Sequence, residues 1–149
     1  MVSSYKVVDY VRHTARPYMF AASVPPTQTA VALAALRYLE AHPELPEKLQ
    51  ANAARLRSNL KARNVQIIEA NTPIVPIYTY EPENTLIKQK GMYDEGVYVN
   101  SVLPPACAPG ECLLRTSLMA SHTDALIDEA ADIIADVLKK DNAEIMQQK

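Results

Sequence analysis

The sequence has 149 residues, a formal net charge of −2, 48% apolar and 21% charged residues, which suits one globular domain or a small domain with an attached arm. It lacks the basic excess that a phosphate backbone demands, which argues against nucleic-acid binding. Only three glycines occur, Gly91, Gly96 and Gly110, too dispersed to build a phosphate-cradling loop, whereas the 11 prolines punctuate the chain and stop helices.

In chain order, residues 4–13 read as a short amphipathic helix with Tyr5, Val8 and Val11 at helical spacing, ended by Pro17. Pro25-Pro26 precede a helix over 27–41 that Thr27 or Thr29 can cap. Ala30 to Leu36 is apolar on every side, so burial on more than one face is expected. The charge-free run from Pro17 to Leu36 is broken by Pro25-Pro26, so no transmembrane span is expected. Lys6, Asp9 and Arg12 sit where a secretory signal would be apolar, and a cytoplasmic protein is expected. Residues 45–63 form the next helix, with Leu49, Ala53, Leu56 and Leu60 as a buried stripe and Arg55, Arg57, Lys61 and Arg63 as a solvated face.

Val65–Glu69 and Pro73–Tyr80 read as strands, and Pro73 and Pro76 argue for an edge or irregular strand in the second. A helix over 82–93 ends at or just past Gly91, and a strand follows Gly96 through Asn100. Leu103–Gly110 is a proline-rich loop, and Cys112–Leu118 is the last strand. Ser121–Asp124 offers a capping box for a final helix burying Leu126, Ile127, Ala130, Ile133, Ile134, Val137 and Leu138. From Lys139 on, a polar helix end or tail is expected. Helices and strands mix without regular alternation. The fold class is therefore α+β, with a small, mainly antiparallel sheet, helices packed on it and a long helix before it. Residues 1–41 precede this domain, which spans 42–149.

Few residues offer chemistry. Cys107 and Cys112 lack partners for a zinc site and suit a reducing compartment. His13, His42 and His122 have no metal-ligand spacing, and His42 and His122 fall at helix ends. Arg115 stands out. It shares one face of its strand with Leu113 and Ser117, while Leu114, Thr116 and Leu118 share the other. A planar guanidinium there serves a carboxylate ligand, a structural ion pair or an edge-strand position.

Taken together, several segments resemble a known family. His13-Thr14-Ala15-Arg16-Pro17, Phe20-Ala21-Ala22-Ser23-Val24-Pro25-Pro26 and the Ala/Leu-rich helix resemble the α-oxoamine synthases, pyridoxal-phosphate enzymes of fold type I. Pro73-Ile74-Val75-Pro76-Ile77 resembles their next strand. Gly96 to Asn100, Pro104-Pro105, Pro109-Gly110, Leu113-Leu114-Arg115 and Ser117 to Thr123 resemble their C-terminal domain. Val97 to Asn100 and Ser117 to Thr123 look most like the bacterial serine palmitoyltransferase branch.

The resemblance implies condensation of an amino acid, serine favoured, with a long-chain acyl-CoA, and a homodimer. Pyridoxal phosphate serves as the electron sink and is held by a lysine Schiff base. That lysine would lie upstream of Met1, so this chain alone would be an inactive C-terminal fragment that does not bind the cofactor. The resemblance also implies that residues 1–41 finish a cofactor domain and supply the interdomain helix. It matches Arg115 to the arginine that binds the amino-acid carboxylate. Leu103, Pro104 and Pro105 match a mobile substrate loop, with leucine where some relatives carry an arginine. Ala21, Ala22 and Ser23 match the turn that approaches the cofactor phosphate across the dimer interface. Bare helix 27–41 would then drive self-association. A sister synthase making 8-amino-7-oxononanoate or 2-amino-3-ketobutyrate, and a non-catalytic interaction module, remain open.

Overall fold

The computed structural model describes residues 3–21 and 24–147, and the chain divides into two units, Met1–His42 and Pro43–Lys149. The first holds α1 (Tyr5–Thr14), α2 (Arg16–Met19) and α3 (Pro26–Ala41). Pro17 occupies the first turn of α2, where its missing N–H costs nothing, so the helical path resumes there instead of stopping. Helix α3 starts on Pro26 without a side-chain cap, and Thr29 Oγ1 donates back to the Pro25 carbonyl at 3.3 Å. None of its residues is buried, contrary to the expectation for its apolar sequence, and Val31 is 70% exposed. Within its own unit the helix meets no partner large enough to cover it.

The second unit runs α4 (Glu44–Ala62), β1 (Ile74–Tyr80), α5 (Pro82–Asp94), β2 (Asn100–Val102), β3 (Cys112–Ser117), α6 (Asp124–Lys139) and α7 (Asn142–Gln147). The strands form one antiparallel sheet in the order β1-β3-β2. It is the expected α+β arrangement, with the helices on one face. Val75 and Ile77 of β1 and Leu114 of β3 point into the core, where Leu56 and Leu60 of α4, Met92 of α5, and Ile127, Ala131, Ile134 and Val137 of α6 meet them. The 3.6-residue stripe on α4 is as its sequence predicts. On α6 the buried set is centred on Ile127, Ala131 and Ile134, and Leu126 stays 54% exposed. Thr123, not Ser121, caps α6, its hydroxyl accepting from the Leu126 N–H at 3.4 Å.

Three differences from the sequence reading have physical causes. Val65–Glu69 makes only one bridge, Ile67 to Ile77, flanked by Ile68 N–H to Pro76 O and Tyr78 N–H to Gln66 O. Pro76 has no N–H to extend that ladder, and it faces outward on an edge strand as expected. Residues 97–99 are unpaired because their backbone serves α5 instead: the Val97 N–H closes on Met92 O, and Gln89 Nε2 donates to Val99 O. The chain past Lys140 folds into α7, whose Ile145 packs on Gly91, where a polar helix end or tail was expected. Helix α5 ends just past Gly91 as expected, and the chain turns at Gly96, whose φ of +91° suits glycine.

Candidate functional site

Within the second unit the helices cover one face of the sheet, and no described element of that unit covers the other. The strict alternation of β3 buries Cys112, Leu114 and Thr116 and turns Leu113, Arg115 and Ser117 outward. The register places Arg115 between Pro76 of β1 and Asn100 of β2. Side chains directly opposite in such ladders have Cβ atoms roughly 4.5–5.5 Å apart. Leu113 lies between Tyr78 and Val102, and Ser117 lies opposite Ile74. Asn100 Nδ2 donates to the Tyr98 hydroxyl at 3.2 Å, which ties the next residue of that face to the row. Tyr78 and Tyr80 stack at 5.4 Å between ring centroids and close the apolar end. One cation therefore stands in a surround of Ile74, Pro76, Tyr78, Leu113 and Val102, with Asn100, Tyr98 and Ser117 as its polar neighbours.

Two of the three roles open to Arg115 fail here. It is on the central strand of the sheet, not an edge. Among the described residues its side chain has no ion pair and no hydrogen bond, and it is exposed. A guanidinium forks readily onto a carboxylate, and this one is unengaged.

The other arginines near the core behave differently, and the expected solvated face of α4 is in fact a clamp. Arg55 donates to both carboxylate oxygens of Asp128 at 2.8 and 2.6 Å and to Asp124 at 3.1 Å. Asn59 adds a bond to Asp128 at 2.7 Å. The Arg55 guanidinium, then the Asn59 amide, holds the Asp128 carboxyl down at about 2, and the Asp128 hydrogen bond in turn raises Arg55. Arg63 pairs with Asp132 at 2.5 Å. Arg57 is buried and donates to the Thr72 carbonyl. The charges spaced along α4 thus match an acidic row on α6 at Asp124, Asp128 and Asp132, a spacing legible in the sequence once the two helices are known to pack.

Leu103, Pro104 and Pro105 fall in the loop between β2 and β3, past the row where Val102 faces Leu113. Leu103 is half-buried and both prolines are exposed. The loop turns back on itself through Ala106 N–H to Leu103 O and Cys107 Sγ to Val102 O at 3.5 Å. It springs from the end of the open face, one row beyond Arg115. Both cysteines are free, and half-burial, with the Cys112 thiol adding, pushes the Cys107 thiol up. Ala21 is exposed after α2; Ala22 and Ser23 lie outside the described residues. The His42 and Tyr38 rings lie 4.1 Å apart between centroids, tilted by 34°, and His122 Nδ1 accepts from Met119 N–H at 3.3 Å, structural uses as expected at helix ends. The described residues hold no cluster that could bind a metal ion, and none of their helices is long and apolar enough to cross a membrane.

A pyridoxal-phosphate pocket needs an amine for the aldehyde and clustered donors for the phosphate. The described lysines of the second unit all lie on helices or at helix ends. Lys61, Lys90 and Lys140 are ion-paired to Glu69, Asp94 and Glu95. Lys88 is buried on the carbonyls of Val137 and Lys140, and that burial lowers its ammonium. No lysine stands on the strands around Arg115.

A family model described as aminotransferase class I and II matches residues 1–134. The chain belongs to the class I and II aminotransferase family. Within it, the chain is 38% identical over 133 residues to a serine palmitoyltransferase of Bacteroides ovatus, covering 89% of this chain and 34% of that one. It is 34% identical over 140 residues to an 8-amino-7-oxononanoate synthase of Citrifermentans bemidjiense, covering 93% of this chain and 36% of that one. A serine palmitoyltransferase variant of S. paucimobilis with a bound PLP–myriocin aldimine superposes with a TM-score of 0.81 at 34% identity, over 91% of this chain and 35% of that one. The resemblance to α-oxoamine synthases read from the motifs is thereby borne out. This aminotransferase-family chain spans about a third of the length of the relatives it matches.

Proposed function

We propose that this chain forms the carboxylate-binding part of a pyridoxal-phosphate-dependent acyltransferase that joins an amino acid, serine favoured, to a long-chain acyl-CoA, the first step of sphingolipid synthesis. The observation that carries the reading is Arg115: an unpaired guanidinium at the centre of an uncovered sheet face. A free amino acid always brings a carboxylate, and the two parallel N–H donors of the guanidinium hold both oxygens and fix its orientation. The apolar side chains around Arg115 exclude water once a second surface closes on them, which strengthens the pair. The Leu103–Pro105 segment forms the wall of that closure. Residues other than those around Arg115 hold the cofactor's aldehyde. Ala21, Ala22 and Ser23 meet its phosphate in the partner subunit of a homodimer, through backbone N–H groups or the Ser23 hydroxyl.

The serine palmitoyltransferases among the relatives favour serine, and the 8-amino-7-oxononanoate synthases favour a second reading in which the same arginine binds another amino acid. Replacing Arg115 with glutamine in the complete enzyme tests the common core of both readings. Amino-acid affinity falls while thioester affinity holds; an unchanged amino-acid affinity rejects them.

A further inference from the structure

Arg115 cannot tell one amino acid from another, because each presents the same carboxylate. Selectivity requires a second group that meets the substrate's side chain. Resting on the carboxylate-binding reading above, we infer that Asn100 is a specificity-determining residue whose Oδ1 accepts a hydrogen bond from the hydroxyl of a serine-like substrate.

The sheet register supplies the placement. Asn100 is directly opposite Arg115, and Pro76 fills the position on the other side with no polar side-chain atom. A ligand gripped by Arg115 therefore finds a side-chain amide on only one flank. The amide is oriented by its neighbour: Nδ2 donates to the Tyr98 hydroxyl at 3.2 Å, two residues back on the same face. That bond leaves Oδ1 as an acceptor, which repels a carboxylate and welcomes a hydroxyl hydrogen. Asn100 is half-buried, so an amino acid without a hydroxyl leaves its oxygen desolvated and unpaired when the site closes. Tyr98 is 71% exposed and positions the amide without needing to touch the substrate.

The test is a competition between serine and alanine in the complete enzyme, read as the ratio of their kcat/KM values. The wild type prefers serine, and Asn100→Ala lowers the ratio about tenfold, the scale of one neutral hydrogen bond. Asn100→Val, which suits a strand, gives the same fall and serves if the alanine variant fails to fold. Tyr98→Phe lowers the ratio by about threefold, because it frees the amide to rotate. Arg115→Gln lowers both substrates together and leaves the ratio alone. A loss of folding precision would also depress both substrates together, so the ratio separates selectivity from structure. A ratio unmoved by Asn100→Ala and Asn100→Val, with Arg115→Gln still damaging both substrates, overturns this inference and leaves the carboxylate reading standing. No effect of Arg115→Gln on either substrate overturns both. A wild type that takes alanine as well as serine also overturns the role of Asn100.

Discussion

Replacing Gly91 with alanine sets two effects of known size against each other. Gly91 sits inside α5, where alanine is worth about 0.8–1.0 kcal/mol of helix propensity over glycine. A Cβ at this position, however, would lie 2.9 Å from Ile145 Cγ2 and 3.0 Å from Val137 Cγ1. Carbon atoms prefer about 3.5–4.0 Å, so both contacts overlap. Val137 is 1% exposed in the middle of α6 and cannot retreat, whereas Ile145 rides on the six-residue α7 and can yield a little. Overpacking of this kind costs about 1–3 kcal/mol. The expected net result is a loss of about 0–2 kcal/mol, measured by urea unfolding with the two-state model. In an Ile145→Ala background the nearest obstacle is gone while the Val137 contact remains, and the same substitution costs less than in the wild type. A wild-type background that gains about 1 kcal/mol from Gly91→Ala would show that Ile145 and Val137 do not pack on Gly91.

Two further outcomes follow from named contacts. Asp128 titrates at about 2 in the folded state against 3.8 unperturbed, so its ionised form is favoured by folding. Its contribution is complete above the unfolded value and disappears as pH falls from near 4 through 2. Unfolding midpoints measured across that window drop steeply in the wild type and less steeply in Asp128→Asn; parallel curves would contradict the clamp between α4 and α6. Helix α3 carries Val31, Leu36 and Tyr38 at 70%, 54% and 60% exposure, a surface that water disfavours. Sedimentation is expected to show self-association that rises with concentration and is lost in Val31→Asp/Leu36→Asp, and a monomer at every concentration would refute it.

The sequence was most informative where period alone decides structure. The stripe of α4, the alternation of β3 and the outward placing of Arg115 all follow from side-chain geometry, and the edge position of β1 follows from Pro76 lacking an N–H. It was least informative where the partner of a residue is distant in the chain. Arg55 and Arg63 looked solvated because nothing near them in sequence shows that Asp128 and Asp132 come alongside. The contact that Gly91 makes was not legible because its partner, Ile145, lies more than 50 residues on, in a segment whose polar composition hid a helix. Of the site, Arg115 was visible as a charge in an apolar strand. Asn100 was not, since only the β2–β3 register brings it opposite the arginine.

Binding of an amino-acid carboxylate at Arg115 is tested most directly by the affinity of the complete enzyme for L-serine before and after Arg115→Gln, with the acyl-CoA affinity as the internal reference. Loss of the charged fork weakens serine binding by on the order of 2–4 kcal/mol, roughly 30- to 700-fold, with Arg115→Lys recovering part of it and the thioester affinity unmoved. Serine affinity in Arg115→Gln equal to that of the wild type would contradict the assignment of this sheet face as the substrate site.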